Sequence, residues 1–186
     1  MNKKLVYTIG FIGMVLAQWL VPAKMILERN EVLSSGKLFK FITAPVDPND
    51  PFRGKYVALE FENNHFETEL ENDFEVGGKV FVIINNDGQG YAEIRSYSKN
   101  RPEFIQNYLE VVINRISVND GIQEVFITYP FDRFYLEEFQ AEKAEKIYLE
   151  AFNDRASKAW AEVYIKEGKA VLRDVLIEGR SLRDFD

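Results

Sequence analysis

Lys79-Val80-Phe81-Val82-Ile83-Ile84 runs directly into Asn85-Asn86-Asp87-Gly88, and this junction decides the class of fold. Branched and aromatic side chains suit a pleated backbone, while Asn, Asp and Gly supply the positive-φ positions of a tight hairpin turn. The chain returns through Tyr91 to Tyr97, so the whole reads as a β-hairpin. Downstream, Tyr108 to Arg115 and Glu124 to Tyr129 read as two further strands around the turn Asn119-Asp120-Gly121. Ala159 to Lys166 and Ala170 to Ile177 form a closing hairpin turned at Glu167-Gly168. Upstream, Lys37 to Ile42 reads as a strand, and so does Tyr56 to Phe61, whose apolar face carries Val57, Leu59 and Phe61. Residues 63–77 are acidic and poorly periodic, which predicts a polar loop closed by Gly77-Gly78.

A single soluble helix is expected, from Glu137 to Asn153. Its apolar stripe is Ala141, Ala144, Tyr148, Ala151 and Phe152, and Glu137 and Glu138 sit at the amino end, where they favour the helix dipole. The expected fold is therefore α+β: a mainly antiparallel β domain with one packed amphipathic helix. No internal repeat is present.

The amino terminus has another character. Leu5 to Ala23 contains no charge, and as a helix it reaches about 28 Å, close to the thickness of a bilayer's hydrocarbon core. Lys3 and Lys4 precede it, which by the positive-inside rule places residues 1–4 in the cytoplasm and exports the body. Met25, Ile26, Arg29, Val32 and Leu33 keep helical spacing, so the helix is expected to continue to about residue 34. The predicted layout is a cytoplasmic tail (1–4), a single transmembrane anchor (5–23) and an extracytoplasmic strand-rich domain (36–186) at the inner membrane. A cleaved signal peptide competes with this reading, but the apolar run exceeds a typical h-region and no small-x-small cleavage pattern follows.

The chain has no cysteine, which excludes disulfides, thiolate zinc sites and cysteine nucleophiles. Its net charge is −7; residues 1–29 hold Lys3, Lys4, Lys24 and Arg29 against Glu28, a net of +3, leaving −10 on the body. So acidic a body disfavours nucleic acid.

The most unusual stretch is Pro45 to Phe61, PVDPNDPFRGKYVALEF. Proline fixes φ, and Asp accepts hydrogen bonds from amides just downstream, so the segment is a rigid turn system. It resembles the signature of the GDYXXLXY protein family, PVDP-x-DPFRGDY-V-x-L-x-Y. Pro45, Pro48, Pro51, Phe52, Gly54, Tyr56 and Leu59 match, while Lys55 replaces Asp and Phe61 replaces the final Tyr. Phe134-Tyr135-Leu136-Glu137-Glu138, the helix with Glu145, and Leu176-Ile177-Glu178-Gly179 resemble later parts of the family. Members tend to be encoded beside polytopic membrane proteins, so the resemblance implies an accessory or binding protein with a polytopic partner.

Asp47, Asp50, Arg53, Gly54 and Tyr56 are the candidate partner-contact residues, with an Arg fork or carboxylate pair to offer a polar group; the same Asp–Arg pair equally serves to lock the loop. Leu59 and Phe61 read as core. His65, the only histidine, stands near the alternating Glu67, Glu69, Glu71 and Asp73, which frames an alternative: a metal or ligand sensor. The looped geometry of a calcium cage is missing, and a solvated acidic face accounts for the run. A further alternative is a serine–lysine hydrolase of signal-peptidase type using Ser34 or Ser35 with Lys79, although VLSSGKLF does not reproduce that family's surroundings. No catalytic residue, cofactor or metal ligand is assigned, and the oligomeric state is left open.

Overall fold

The computed structural model describes residues 3–44, 56–69, 74–119, 121–137, 143–144, 146–148, 151 and 158–184. It opens with one helix, α1 (Lys3–Ser35), which continues through Pro22 without a break. Twelve strands follow: β1 (Lys37–Ala44), β2 (Tyr56–Ala58), β3 (Glu60–Phe61), β4 (His65–Glu69), β5 (Lys79–Asn86), β6 (Ala92–Ser98), β7 (Tyr108–Asn119), β8 (Ile122–Thr128), β9 (Arg133–Tyr135), β10 (Ala159–Lys166), β11 (Lys169–Ile177) and β12 (Arg180–Ser181). Leu182–Asp184 add a 3-10 turn.

Two five-stranded sheets, β12-β11-β10-β1-β3 and β4-β8-β7-β5-β6, share one core, with a two-stranded ribbon β2-β9 beside them. Every ladder is antiparallel. The fold is thus mainly antiparallel β with a long apolar amino-terminal helix, as the alternation predicts. In β5, Val80, Val82 and Ile84 are buried, whereas Phe81 and Ile83 are half-covered on the other face. The unbroken apolar run is explained by cover on both sides; Phe81 lies edge-on to Tyr108 at 5.9 Å.

Three expectations change. The predicted polar loop at His65 is strand β4: Phe66 and Thr68 point inward while His65, Glu67 and Glu69 face outward, paired with β8. Only two inward side chains, one of them a threonine, kept the alternation from registering as a strand. The strand read as Tyr56–Phe61 divides at Leu59, whose amide donates to the Asp132 carbonyl at 2.8 Å; β2 pairs with β9 and β3 with β1. Glu137, expected at the helix start, is exposed and non-helical. Of the expected helix, 143–144, 146–148 and 151 are described and helical, and Ala144 and Tyr148 are buried as the stripe requires. Ala141, Glu145 and Phe152 lie outside the described residues.

The centre of the core is aromatic. Phe61 packs edge-on against Phe41 (5.8 Å), Tyr129 (5.5 Å) and Phe131 (5.3 Å); such ring pairs add about 0.5–1.5 kcal/mol each beyond the area they bury. The Tyr129 hydroxyl donates to the Asn63 carbonyl, and burial pushes its phenol well above the ordinary range. Burial does the same to Tyr148, whose hydrogen bond to Thr43 opposes the shift and whose neighbour Glu60 adds to it.

The two Glu-Gly turns are built alike. Glu167 and Gly168 have φ of 48° and 85°, and Glu178 and Gly179 of 51° and 86°, the double positive φ of a type I′ hairpin turn. They differ in surroundings. The first docks onto the other sheet: the Glu167 amide donates to the Gln106 carbonyl at 2.8 Å, and Gly168 bridges to Leu109.

The same hairpin clamps α1. Glu31 pairs with Lys166 at 2.7 Å and Glu28 with Lys169 at 3.1 Å, while Val32 is buried. Further back along α1, Met25 and Ile26 lie beside Ala170, Val171 and Leu172. β11 therefore runs back along the helix toward its apolar half, and β10 runs the other way. Because β1 is antiparallel to β10, the chain reverses at Gly36 and β1 also heads back. Ala44, the last described residue before the proline-rich segment, consequently lies toward the apolar half of α1.

Candidate functional site

The ribbon β2–β9 brings two family-like segments side by side. Tyr56 pairs with Tyr135, Val57 with Phe134 and Ala58 with Arg133. Val57 and Phe134 are buried, so strand alternation turns Tyr56, Tyr135 and Arg133 outward. The tyrosine rings are 5.7 Å apart, and the Arg133 guanidinium lies 4.9 Å over Tyr56. A hydrogen bond to the Tyr135 side chain, then the neighbouring Tyr56 and Asp132, raises Arg133 further above its ordinary value. It is a permanent cation fixed on an aromatic face.

Beside this ribbon lies a cleft of about 420 Å³ reaching to β7 and β8. Across it Arg115 stacks on Phe126 at 3.8 Å, and the Asn114 side-chain amide donates to Thr128 Oγ1 at 3.1 Å. Glu60 and Asp132 complete the lining with negative charge. A guanidinium stacked on a ring keeps its N–H fork free at the edges, suited to carboxylates and backbone carbonyls. The cleft is thus equipped to bind a polar chain.

Among the sequence-predicted contacts, Tyr56 is half-buried on this ribbon beside the exposed Tyr135. Pro45, Asp47, Pro48, Asp50, Pro51, Phe52, Arg53, Gly54, Lys55 and Glu138 lie outside the described residues. Leu59 and Phe61 are core, each 4% exposed. Arg115 and Phe126 went unrecognised in the sequence, though they were within reach. Counting back along both strands from Asn119↔Ile122, the register brings Arg115 opposite Phe126.

Of the residues in the two alternative chemistries, Glu71 and Asp73 lie outside the described residues. His65 Nε2 lies 3.6 Å from Glu124 and its ring is tilted against Phe126; among the described residues no group of three or more His, Asp or Glu converges on a metal position. Lys79 is ion-paired with Glu110. The lysine at Ser35 is instead Lys166, whose Nζ donates to Ser35 Oγ at 3.0 Å and to Glu31 at 2.7 Å. An ammonium shared with a carboxylate donates hydrogen bonds and takes no proton from serine.

The family model described as GDYXXLXY protein matches residues 18–175, most of the chain. No curated protein and no solved structure matches.

Proposed function

Given that the chain belongs to the GDYXXLXY protein family, we propose that it is a membrane-anchored accessory protein whose strand-rich head, outside the cytoplasmic membrane, binds a polytopic membrane protein. One observation carries this reading. The apolar half of α1 is long enough to cross a membrane, and its large side chains lie open: Tyr7, Phe11, Trp19 and Leu20 are all more than 60% exposed. An uncovered apolar helix of that length has lipid or another transmembrane helix as its natural surroundings. Lys3 and Lys4 favour a cytoplasmic amino terminus.

The described flanks of the motif support a contact role. Its flanks, Ala44 and Tyr56, lie on the side of the head nearer the apolar half of α1, where the outer loops of a multi-pass neighbour stand. Tyr56, Tyr135 and Arg133 extend the same surface with rigid aromatic and guanidinium groups, the types that anchor protein interfaces.

Purification of the full chain from native membranes in mild detergent tests the proposal. A polytopic protein is expected to co-purify in a fixed ratio, and Arg53→Ala or Arg133→Ala is expected to lower its yield. Absence of any stable partner with the wild-type chain overturns it.

A further inference from the structure

A second concavity lies where the stem meets the head. It has a volume of about 560 Å³, and its walls are Met25 and Ile26 of α1, Phe134 and Tyr135 of β9, and Ala170 to Leu172 of β11. Three arginines from separate elements border this mostly apolar groove: Arg29 from α1, Arg133 from β9 and Arg183 from the carboxy-terminal turn. Arg133 and Arg183 belong to a body whose net charge is −10.

The partners of these arginines leave capacity for a ligand. Arg183 lies 5.0 Å over the Phe134 ring, donates from Nη2 to the Arg173 carbonyl at 3.3 Å and stands 3.9 Å from Asp174. Arg133 is hydrogen-bonded to Tyr135, stacked on Tyr56 and 3.9 Å from Asp132. Arg29 is exposed and makes no hydrogen bond or ion pair among the described residues.

Height identifies the occupant. The uncharged run ends at Ala23, and at 1.5 Å per residue Arg29 stands about 9 Å further along the helix axis. A bilayer's polar layer extends about 5–8 Å beyond the hydrocarbon on each side. Met25 and Ile26 therefore sit at the boundary of acyl chain and headgroup, and the long Arg29 side chain reaches phosphate level. The apolar walls at that boundary and the Arg29 guanidinium above them match the two halves of one molecule.

We infer that this groove holds an anionic glycerophospholipid, its phosphate against Arg29 and its first methylenes against Met25, Ile26 and Leu172. The inference rests on the anchoring reading above and adds a specific ligand to it. A bound lipid of this kind fixes the depth of the head and fills the seam between stem and sheet.

Native mass spectrometry of the full chain in detergent micelles, titrated with phosphatidylglycerol or phosphatidylcholine, tests it. Phosphatidylglycerol is expected to bind about tenfold more tightly, a difference of the size one charge-assisted phosphate contact supplies. Arg29→Gln, on an exposed helix face, is expected to remove most of that preference. Arg95→Gln, on exposed β6, is expected to leave it intact, with thermal unfolding of both variants followed by circular dichroism. Equal affinity for the two lipids, or a preference that survives Arg29→Gln, overturns the inference. So does displacement of the lipid by millimolar glycerol phosphate, which marks a free-phosphate site. A carbonate wash of native membranes separates the readings: a chain that stays in the pellet without lipid preference defeats this inference alone. Release into the wash defeats the anchor as well.

Discussion

The paired Glu-Gly turns allow an internally controlled experiment. Gly168 and Gly179 share almost the same backbone, φ of 85° and 86°, so alanine at either incurs the same left-handed strain, about 1–2 kcal/mol. Their surroundings diverge. A Cβ on Gly168 meets Tyr108 Cε2 at 2.8 Å, whereas on Gly179 the nearest atom belongs to the Trp160 ring, 4.0 Å away. Tyr108 has little room to yield: it is 2% exposed, and its hydroxyl accepts a hydrogen bond from Arg101 Nε at 2.6 Å. Forcing an extra carbon into such a contact costs about 1–3 kcal/mol more. Gly179→Ala is therefore expected to destabilise by about 1–2 kcal/mol, and Gly168→Ala by about 2–5 kcal/mol. Urea unfolding of the full chain in detergent, followed by far-ultraviolet circular dichroism, measures both. Tyr108→Ala makes room, so combining it with Gly168→Ala should remove the excess and reveal a coupling of similar size. Equal losses for the two glycine variants, or no coupling to Tyr108, would refute the idea that this turn locks the sheets together.

Phe61→Ala opens a hole among Phe41, Tyr129 and Phe131, and a loss of about 3–5 kcal/mol is expected in the same urea assay; a loss below about 1 kcal/mol would mean the ring cluster readily collapses around the gap. Alkaline pH acts through Tyr129 and Tyr148. Burial raises both phenols, so the folded state holds their protons longer than the unfolded chain does. Stability from this source is complete below about pH 10 and falls above it by about 1.4 kcal/mol per pH unit for each tyrosine. Tyr129→Phe should reduce the slope, and a urea midpoint unchanged from pH 9 to 11 in the wild type contradicts the assignment. Calcium or zinc added to the full chain in detergent should leave its melting temperature unchanged; a rise abolished by His65→Ala would restore the metal-sensor alternative.

The sequence disclosed the larger strands because their inward positions are strongly apolar. Val80, Val82 and Ile84 sit opposite a turn rich in Asn and Gly, and period and punctuation agree there. β9 and β12, of three and two residues, are too short to show a period, and β12 depends on pairing with β11 for its existence. β4 escaped because its outward positions are His and Glu and only Phe66 is strongly apolar inward. The candidate site was half legible. Tyr56 and Tyr135 stood out as motif residues, and Leu59 and Phe61 were correctly assigned to the core. That Tyr56 and Tyr135 are direct neighbours follows only from the pairing of β2 with β9, far apart in the chain, which alternation cannot specify. The groove between stem and head was invisible for the same reason, since Arg29, Arg133 and Arg183 come to border one concavity only once the helix lies along β11.

No slack separates the apolar stem from the body that follows it. α1 passes straight from its lipid-soluble half into the turns gripped by Lys166 and Lys169, and Gly36 alone joins it to β1. The compass bearing of the head is thereby keyed to the rotation of the shaft, as in a weathervane soldered to its rod. A neighbour packed on one side of the stem would always meet the same flank of the head. One residue inserted between Ala23 and Lys24 would swing that flank through about 100° and present the neighbour with a different surface.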